Sequence, residues 1–303
     1  MDFEELRRDD WLCRSLAAGI AEAHSLPFDG ERMREGSNIL FHLSGNTVLK
    51  VFSRDEKAFR DNEALFLKRL AGRLSVTVPR LLGIGEYRGH PYLLMERMTD
   101  RSLASVWPEL DREGRENVCR QAGSLLRELH SLPVELAEGC VPEWGIFISA
   151  QKVSLAENHA RYGLEPSRIR EIVEFVETGE PIEESNTPVI CHTEMMREHL
   201  FVSGRDSSPS ISGLIDFEPS MLAVPQYDLC AAGLFITAGE PGLFSVFLDG
   251  YGSSVDTSAA AITRMLLLHR YSNMKWFVST LPAALRDADL LTIGEYWYGK
   301  NPA

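Results

Sequence analysis

Three observations predict an α+β protein of two lobes. Residues 30–98 are rich in short β-like runs around one helical stretch. Helical periodicity dominates beyond residue 99, and a brief β island at 189–216 interrupts it. The expected form is a small, largely antiparallel sheet with one helix in an N-lobe, residues 1–98, and a larger, mostly helical C-lobe, residues 99–303, with a hinge near 96–102. Leu12, Leu16 and Ile20 at spacing four predict a helix over 10–24. Runs at 39–43 and 47–52 flank Ser44-Gly45-Asn46, a hairpin signal. A helix over 55–70 precedes a second strand pair, 82–86 and 92–98, turning at Arg88-Gly89. Val118, Ala122, Leu125, Leu126 and Leu129 form the stripe of a strong helix that ends at His130-Ser131-Leu132-Pro133. Further helix is expected near 150–178 and from about 224 onwards. Strands are expected at 189–192, 200–202 and 211–216.

The 303 residues suffice for a sizeable core, and 44% hydrophobic with 25% charged residues is a globular balance. With 31 Lys plus Arg against 44 Asp plus Glu, the net charge is −13. That disfavours nucleic acid as a partner and is compatible with a cationic small molecule. No run approaches the 18 apolar residues of a membrane span, and Met1-Asp2-Phe3-Glu4-Glu5 has no signal-peptide plan. The five cysteines are scattered without CxxC spacing, which argues against a disulfide framework or structural zinc and for reduced thiols in the cytoplasm. No internal repeat or low-complexity tract is present.

Two constellations carry chemistry. Lys50 lies in an otherwise apolar strand, and Glu63 shares a helix face with Phe59, Phe66 and Leu70. A Lys50–Glu63 ion pair would explain both charges and hold the amine towards phosphates. Alternatively, Lys50 points to solvent from a half-exposed strand and Glu63 snorkels. The second constellation is His192-Thr193-Glu194, His199, Ile215-Asp216-Phe217 and Tyr227-Asp228. If the island's strands end together, Glu194, His199 and Asp216 surround one point, suiting a hard cation or a base beside a metal ligand. The alternative makes His192 a hydrogen-bonded core residue and Asp216 a turn cap. The turn Gly36-Ser37-Asn38 could cover a phosphate but lacks the glycines of a GxGxxG loop. Glu171, Glu174, Glu177, Glu180, Glu183 and Glu184 read as a solvated face, with amine recognition as the alternative. Trp276, Tyr296, Trp297 and Tyr298 read as core rather than as a sugar-stacking surface. Neither GxSxG nor HExxH occurs.

Taken in order, Val48-Leu49-Lys50, Glu63, the segment from Tyr92 to Met98, the segment from Leu125 to Pro133, the His-x-acid loop, Ile-Asp-Phe and Tyr-Asp-Leu resemble aminoglycoside phosphotransferases, which share the protein-kinase-like fold. The hinge and N-lobe phrasing is similar to hygromycin-type members. The resemblance spans about residue 30 to at least 275. It implies transfer of the ATP γ-phosphoryl group to a hydroxyl of an aminoglycoside, with Mg2+ or Mn2+. It also implies that Lys50, oriented by Glu63, meets the α and β phosphates, and that Ser37 lies in the turn covering them. Backbone groups of Glu96 and Met98 would meet adenine, Asp216 would hold magnesium, and Asp228 would brace the catalytic loop.

That loop departs from the family's His-Gly-Asp with Asn five residues later: it reads His192-Thr193-Glu194, with His199 in the Asn position. Glu194 keeps a carboxylate able to take a hydroxyl proton, but its extra methylene moves the oxygen by about 1 Å, a displacement that can cost roughly 100-fold. Thr193 in place of Gly is expected to remove access to φ > 0. His199 suits manganese or zinc better than magnesium, and Glu218 could supply a compensating oxygen. Two other functions stay open: a pseudokinase that binds nucleotide without transfer, and a kinase of another metabolite alcohol. The acceptor pocket is expected from the helical stretch 134–187.

Overall fold

The computed structural model describes residues 2–34, 36–181, 187–204, 209–237, 239–240, 242–252 and 255–299. The chain divides into two compact units, residues 1–100 with 213–219, and residues 101–212 with 220–303. The expected contiguous boundary after residue 98 does not contain this assignment of 213–219 to the first unit.

In the first unit, α1 (Phe3–Arg8) and α2 (Asp10–Ala23) precede β1 (Glu31–Met33), β2 (Ile39–Leu43) and β3 (Thr47–Val51). Then come α3 (Lys57–Leu70), β4 (Leu81–Tyr87) and β5 (His90–Glu96). The strands form one antiparallel sheet in the order β1-β2-β3-β5-β4. Lys50 on β3 stands opposite Leu40 on β2 and Leu93 on β5. Between β2 and β3 the turn places Gly45 and Asn46 at positive φ, the backbone those residue types accept most readily. Cys13, Leu16, Ala17 and Ile20 on α2 bury their stripe with Ile39, Phe41, Leu49 and Leu94 of the sheet. The segment 213–219 is tied in by Leu214, whose N–H donates to the Thr77 carbonyl at 3.0 Å.

The second unit begins with β6 (Arg101–Ser102), α4 (Leu103–Val106) and α5 (Arg112–His130). It continues with α6 (Trp144–Val153), α7 (Leu155–Ala160) and α8 (Pro166–Thr178). Then come β7 (Val189–Cys191), β8 (Leu200–Ser203), β9 (Ser210–Leu214), whose last two residues are counted with the first unit, and β10 (Met221–Ala223). The chain closes with α9 (Pro225–Phe235), α10 (Leu243–Tyr251), α11 (Ala259–Leu267), α12 (Met274–Ser279) and α13 (Leu290–Tyr298). Asp111 caps α5 by accepting the Gly114 N–H at 2.8 Å, and α5 buries the predicted stripe from Val118 to Leu129.

The β island departs from expectation. β7 pairs with β10, Cys191 opposite Met221, while β8 neighbours β6 and β9 in a different sheet. The partners β6 and β10 are two and three residues long, too short to show a period-two pattern. The strand before the His-x-acid loop and the strand before Asp216 therefore belong to different sheets. Trp297 and Tyr298 are buried as expected, but Trp276 is 52% exposed, a correction to its reading as core. Glu174, Glu177 and Glu180 are exposed, whereas Glu183 and Glu184 lie outside the described residues. Among the described residues, no helix is long and apolar enough to cross a membrane.

Candidate active site

The first unit gathers four charges. Lys50, 5% exposed, is followed along β3 by Val51, and its side chain leaves the sheet towards α3. Its Nζ lies 2.8 Å from Glu63 Oε2, 2.6 Å from Asp216 Oδ1 and 2.8 Å from Glu218 Oε2. The ion-pair reading of Lys50 and Glu63 thus describes the geometry, and the solvent-facing alternative does not. Asp216 adopts φ +71, which lets two acids two residues apart turn to one ammonium while Phe217 between them buries its ring 6.5 Å from Phe66 of α3. Asn38 donates from Nδ2 to Glu218 Oε2 at 2.8 Å, and Asn62 donates to the Glu218 carbonyl at 2.8 Å. The preceding Gly36 has φ +81, and the Arg7 guanidinium donates to its carbonyl. Ser37 is exposed in the same turn.

Burial works against the charge of Lys50, but Asp216, Glu218 and Glu63 together hold its pKa well above the ordinary lysine value. Burial pushes Glu63 up to about 7, opposed by Lys50 and reinforced by Asp216 and Glu218. Ligand oxygens of Glu63, Asp216 and Glu218 all lie within 4.8 Å of one another. Three carboxylates around one ammonium leave an excess of negative charge, and the all-oxygen donor set fits a hard divalent cation such as magnesium.

Glu96 ends β5. Its N–H is committed to the Arg80 carbonyl at 2.9 Å, so any adenine contact from Glu96 falls to its carbonyl. Met98 follows, half-buried.

The second unit builds the loop after β7. Asp228, in the first turn of α9, is fully buried and accepts the N–H groups of His192 at 2.8 Å and Thr193 at 2.5 Å. Its Oδ2 also lies 2.9 Å from Nε2 of His130, the last residue of α5, whose Nδ1 meets the Tyr251 hydroxyl at 2.8 Å. Burial opposes the charge of Asp228, yet these bonds and the nearby imidazoles hold its pKa below the usual carboxylate value. Thr193 sits at φ +70, which corrects the expectation that threonine closes this region. A β-branched residue there is strained and persists only where its surroundings over-determine it. The Glu194 N–H donates to His192 Nδ1 at 3.3 Å, and the Glu194 carbonyl accepts from His199 Nδ1 at 2.8 Å.

This geometry bears on two expected roles. His192 is fully buried, and its Nδ1 is engaged by the Glu194 N–H. His199 spends Nδ1 on the backbone of Glu194 and belongs to neither group of potential metal ligands found among the described residues. The other such group, His130, Cys191 and Asp228, is already hydrogen-bonded within itself, and burial with the Asp228 charge keeps the Cys191 thiol far from ionising. Sequence reasoning missed Asn38, Asn62, Ser220 and His269 as supports of these two clusters. Their partners lie 28 to 180 residues away, and no local spacing announces them.

The fold is that of the aminoglycoside phosphotransferases, which is protein-kinase-like. The chain is similar to a variant of aminoglycoside 2′-phosphotransferase-IIIa in complex with GDP, at 19% identity over 94% of this chain and 95% of that one, with a TM-score of 0.68. It is similar to APH(2″)-IIIa with GDP and kanamycin at 20% identity, over 88% and 90% of the chains, with a TM-score of 0.65. For the streptomycin–ATP ternary complex of APH(2″)-IIa the values are 15%, 93%, 97% and 0.58. A model of the phosphotransferase enzyme family matches residues 34–265, and the chain belongs to that family. No curated protein sequence matches it.

Proposed function

We propose that this protein transfers the γ-phosphoryl group of ATP to a hydroxyl of a cationic small molecule, most specifically an aminoglycoside of the hygromycin type. The observation that carries the reading is Lys50, buried and charged among Glu63, Asp216 and Glu218. An ammonium held by Glu63 is built to meet nucleotide phosphates, and the turn with Ser37 covers them. Asp216 and Glu218 would hold a magnesium ion, which when bound neutralises charge on the β and γ phosphates. Met98 and the Glu96 carbonyl would take the adenine edge. Glu194 accepts the acceptor's hydroxyl proton. The hydroxyl oxygen then bonds to the γ-phosphorus, the bond from that phosphorus to the β-phosphate oxygen breaks, and ADP leaves. Catalysis in such transfers is chiefly positioning and charge stabilisation. The net charge of −13 supports a cationic acceptor.

The length of Glu194, and the commitment of His199 Nδ1 to its carbonyl, favour one second reading: a module that binds nucleotide without transfer. ATP consumption against an aminoglycoside panel including hygromycin B, with magnesium and manganese in parallel, separates the two. Turnover on one member that is lost in Asp216→Ala, with the fold retained by circular dichroism, is the expected result. Nucleotide binding without turnover on any acceptor, metabolite alcohols included, would establish the second reading.

A further inference from the structure

His269 lies 77 residues beyond His192 and outside every motif of the sequence, yet it ends on the same loop. It is 6% exposed, and its Nε2 lies 3.0 Å from the carbonyl of Thr193. A carbonyl only accepts, so Nε2 carries the hydrogen. The other ring nitrogen, Nδ1, accepts the N–H of Tyr271 at 3.3 Å and therefore carries none. Both nitrogens are thus assigned by their partners, and the ring is neutral. Tyr227 of α9 stacks on it at 4.5 Å with 26° between the planes, and the ring of Tyr271 lies at 5.9 Å. The charges that bear on it are the guanidinium of Arg270 and the carboxylate of Asp228.

Thr193 is the strained residue of the loop. Asp228 holds its N–H, and His269 holds its carbonyl. The peptide plane that leads into Glu194 is therefore gripped by an imidazole from a distant part of the chain. We propose that His269, neutral and protonated on Nε2, is a positioning residue for phosphoryl transfer: it anchors the Thr193 carbonyl and keeps the left-handed backbone that aims Glu194. The proposal rests on the reading of Glu194 as the base. A second proton on Nδ1 would face the Tyr271 N–H, so protonation breaks that bond and frees the ring to swing from the Thr193 carbonyl, although Nε2 keeps its hydrogen. Burial, with Arg270 adding to it, pushes the His269 pKa down to about 4, which keeps the clamp neutral at physiological pH.

The test uses three full-length proteins: wild type, His269→Leu and His269→Gln. Glutamine offers a neutral donor and acceptor at a similar separation, whereas leucine keeps the bulk without either. Two readouts are taken: hydrogen-exchange protection of the amides following Thr193, and kcat and KM for ATP with hygromycin B and the wider aminoglycoside panel. His269→Leu should lower protection of the loop about tenfold. It should lower kcat by roughly 10- to 100-fold at unchanged KM for ATP, and glutamine should restore both. In wild type the loop's protection should fall as pH drops below about 5, while His269→Gln stays flat. Should the leucine protein not fold, the pH contrast between wild type and the glutamine variant decides. Equal protection in wild type and leucine variant, or glutamine behaving like leucine, overturns the proposal. Absence of turnover with every acceptor, while loop protection follows the expected pattern, overturns the assignment of Glu194 and leaves the clamp standing.

Discussion

Lys50 is the residue on which the first unit's site depends. Its ammonium offsets three carboxylates, two of them well buried, so its removal leaves like charges facing one another within 4.8 Å. Breaking a buried pair by deleting one partner costs about 3–5 kcal/mol. Lys50→Met should therefore abolish ATP binding, measured by calorimetry, and destabilise the protein. The loss should be smaller at pH 6 than at pH 8, because Glu63 already titrates near 7 and takes up a proton once its partner is gone. A urea midpoint shift independent of pH would contradict this account of the cluster. The sequence pointed to both charges by their oddity in apolar surroundings. It could not point to Asn38 and Asn62, whose side chains simply fasten Glu218 and its backbone across long stretches of chain.

At the scale of elements, the close pairing of α5 with α10 matters most to the second unit's site. Gly123 of α5 and Gly250 of α10 let the backbones touch. A Cβ added to Gly123 would stand 2.0 Å from the Phe247 carbonyl oxygen, and one added to Gly250 would stand 2.0 Å from that of Arg120. The two helices carry His130 and Tyr251, and through His130 they steady Asp228. Gly123→Ala should force the helices apart at a cost of about 1–3 kcal/mol or more, read as a lowered urea midpoint. Loss of kcat should accompany it as the His130–Tyr251 bond loosens. An unchanged midpoint would mean that the pair gives way freely. The α5 stripe was plain in the sequence, but the glycines are silent there, since a missing Cβ has meaning only once the facing backbone is known.

For the molecule as a whole, the two units carry buried groups that titrate in opposite senses. Glu63 in the first unit has its pKa raised from 4.5 to about 7, so as pH falls through that window the folded state takes up a proton first and this unit gains stability. His269 in the second unit has its pKa lowered from 6.5 to about 4, so the unfolded state takes up the proton first and this unit loses stability, by up to about 3 kcal/mol across the window. Acidification from pH 7.5 to 5 should therefore weaken the second unit relative to the first. Hydrogen exchange resolved by segment, corrected for intrinsic rates, should show protection falling in α9 and α11 but not in β3 or α3. A uniform response of both units would refute the assignment.

Composition, periodicity and turn chemistry determined by themselves the strand–strand–helix order of residues 39–96 and the strong helix ending at His130, and they offered Lys50 and Glu63 as a pair beside a solvent-facing alternative that the ion pair in the structure removes. These are local matters: a period of 2 or 3.6, a Gly-Asn turn, or a charge in an apolar run is complete within a dozen residues. Only the tertiary structure decided that β7 joins β10 rather than β8 and β9, that 213–219 belongs with the first unit, and that Glu218 closes on Lys50. It also decided that Thr193 adopts φ +70 despite its branched side chain. The physical reason is shared by all four. Each is settled by hydrogen bonds and charges brought from distant positions, and Thr193 tolerates its strain because Asp228 and His269, 35 and 76 residues away, hold the two ends of its backbone.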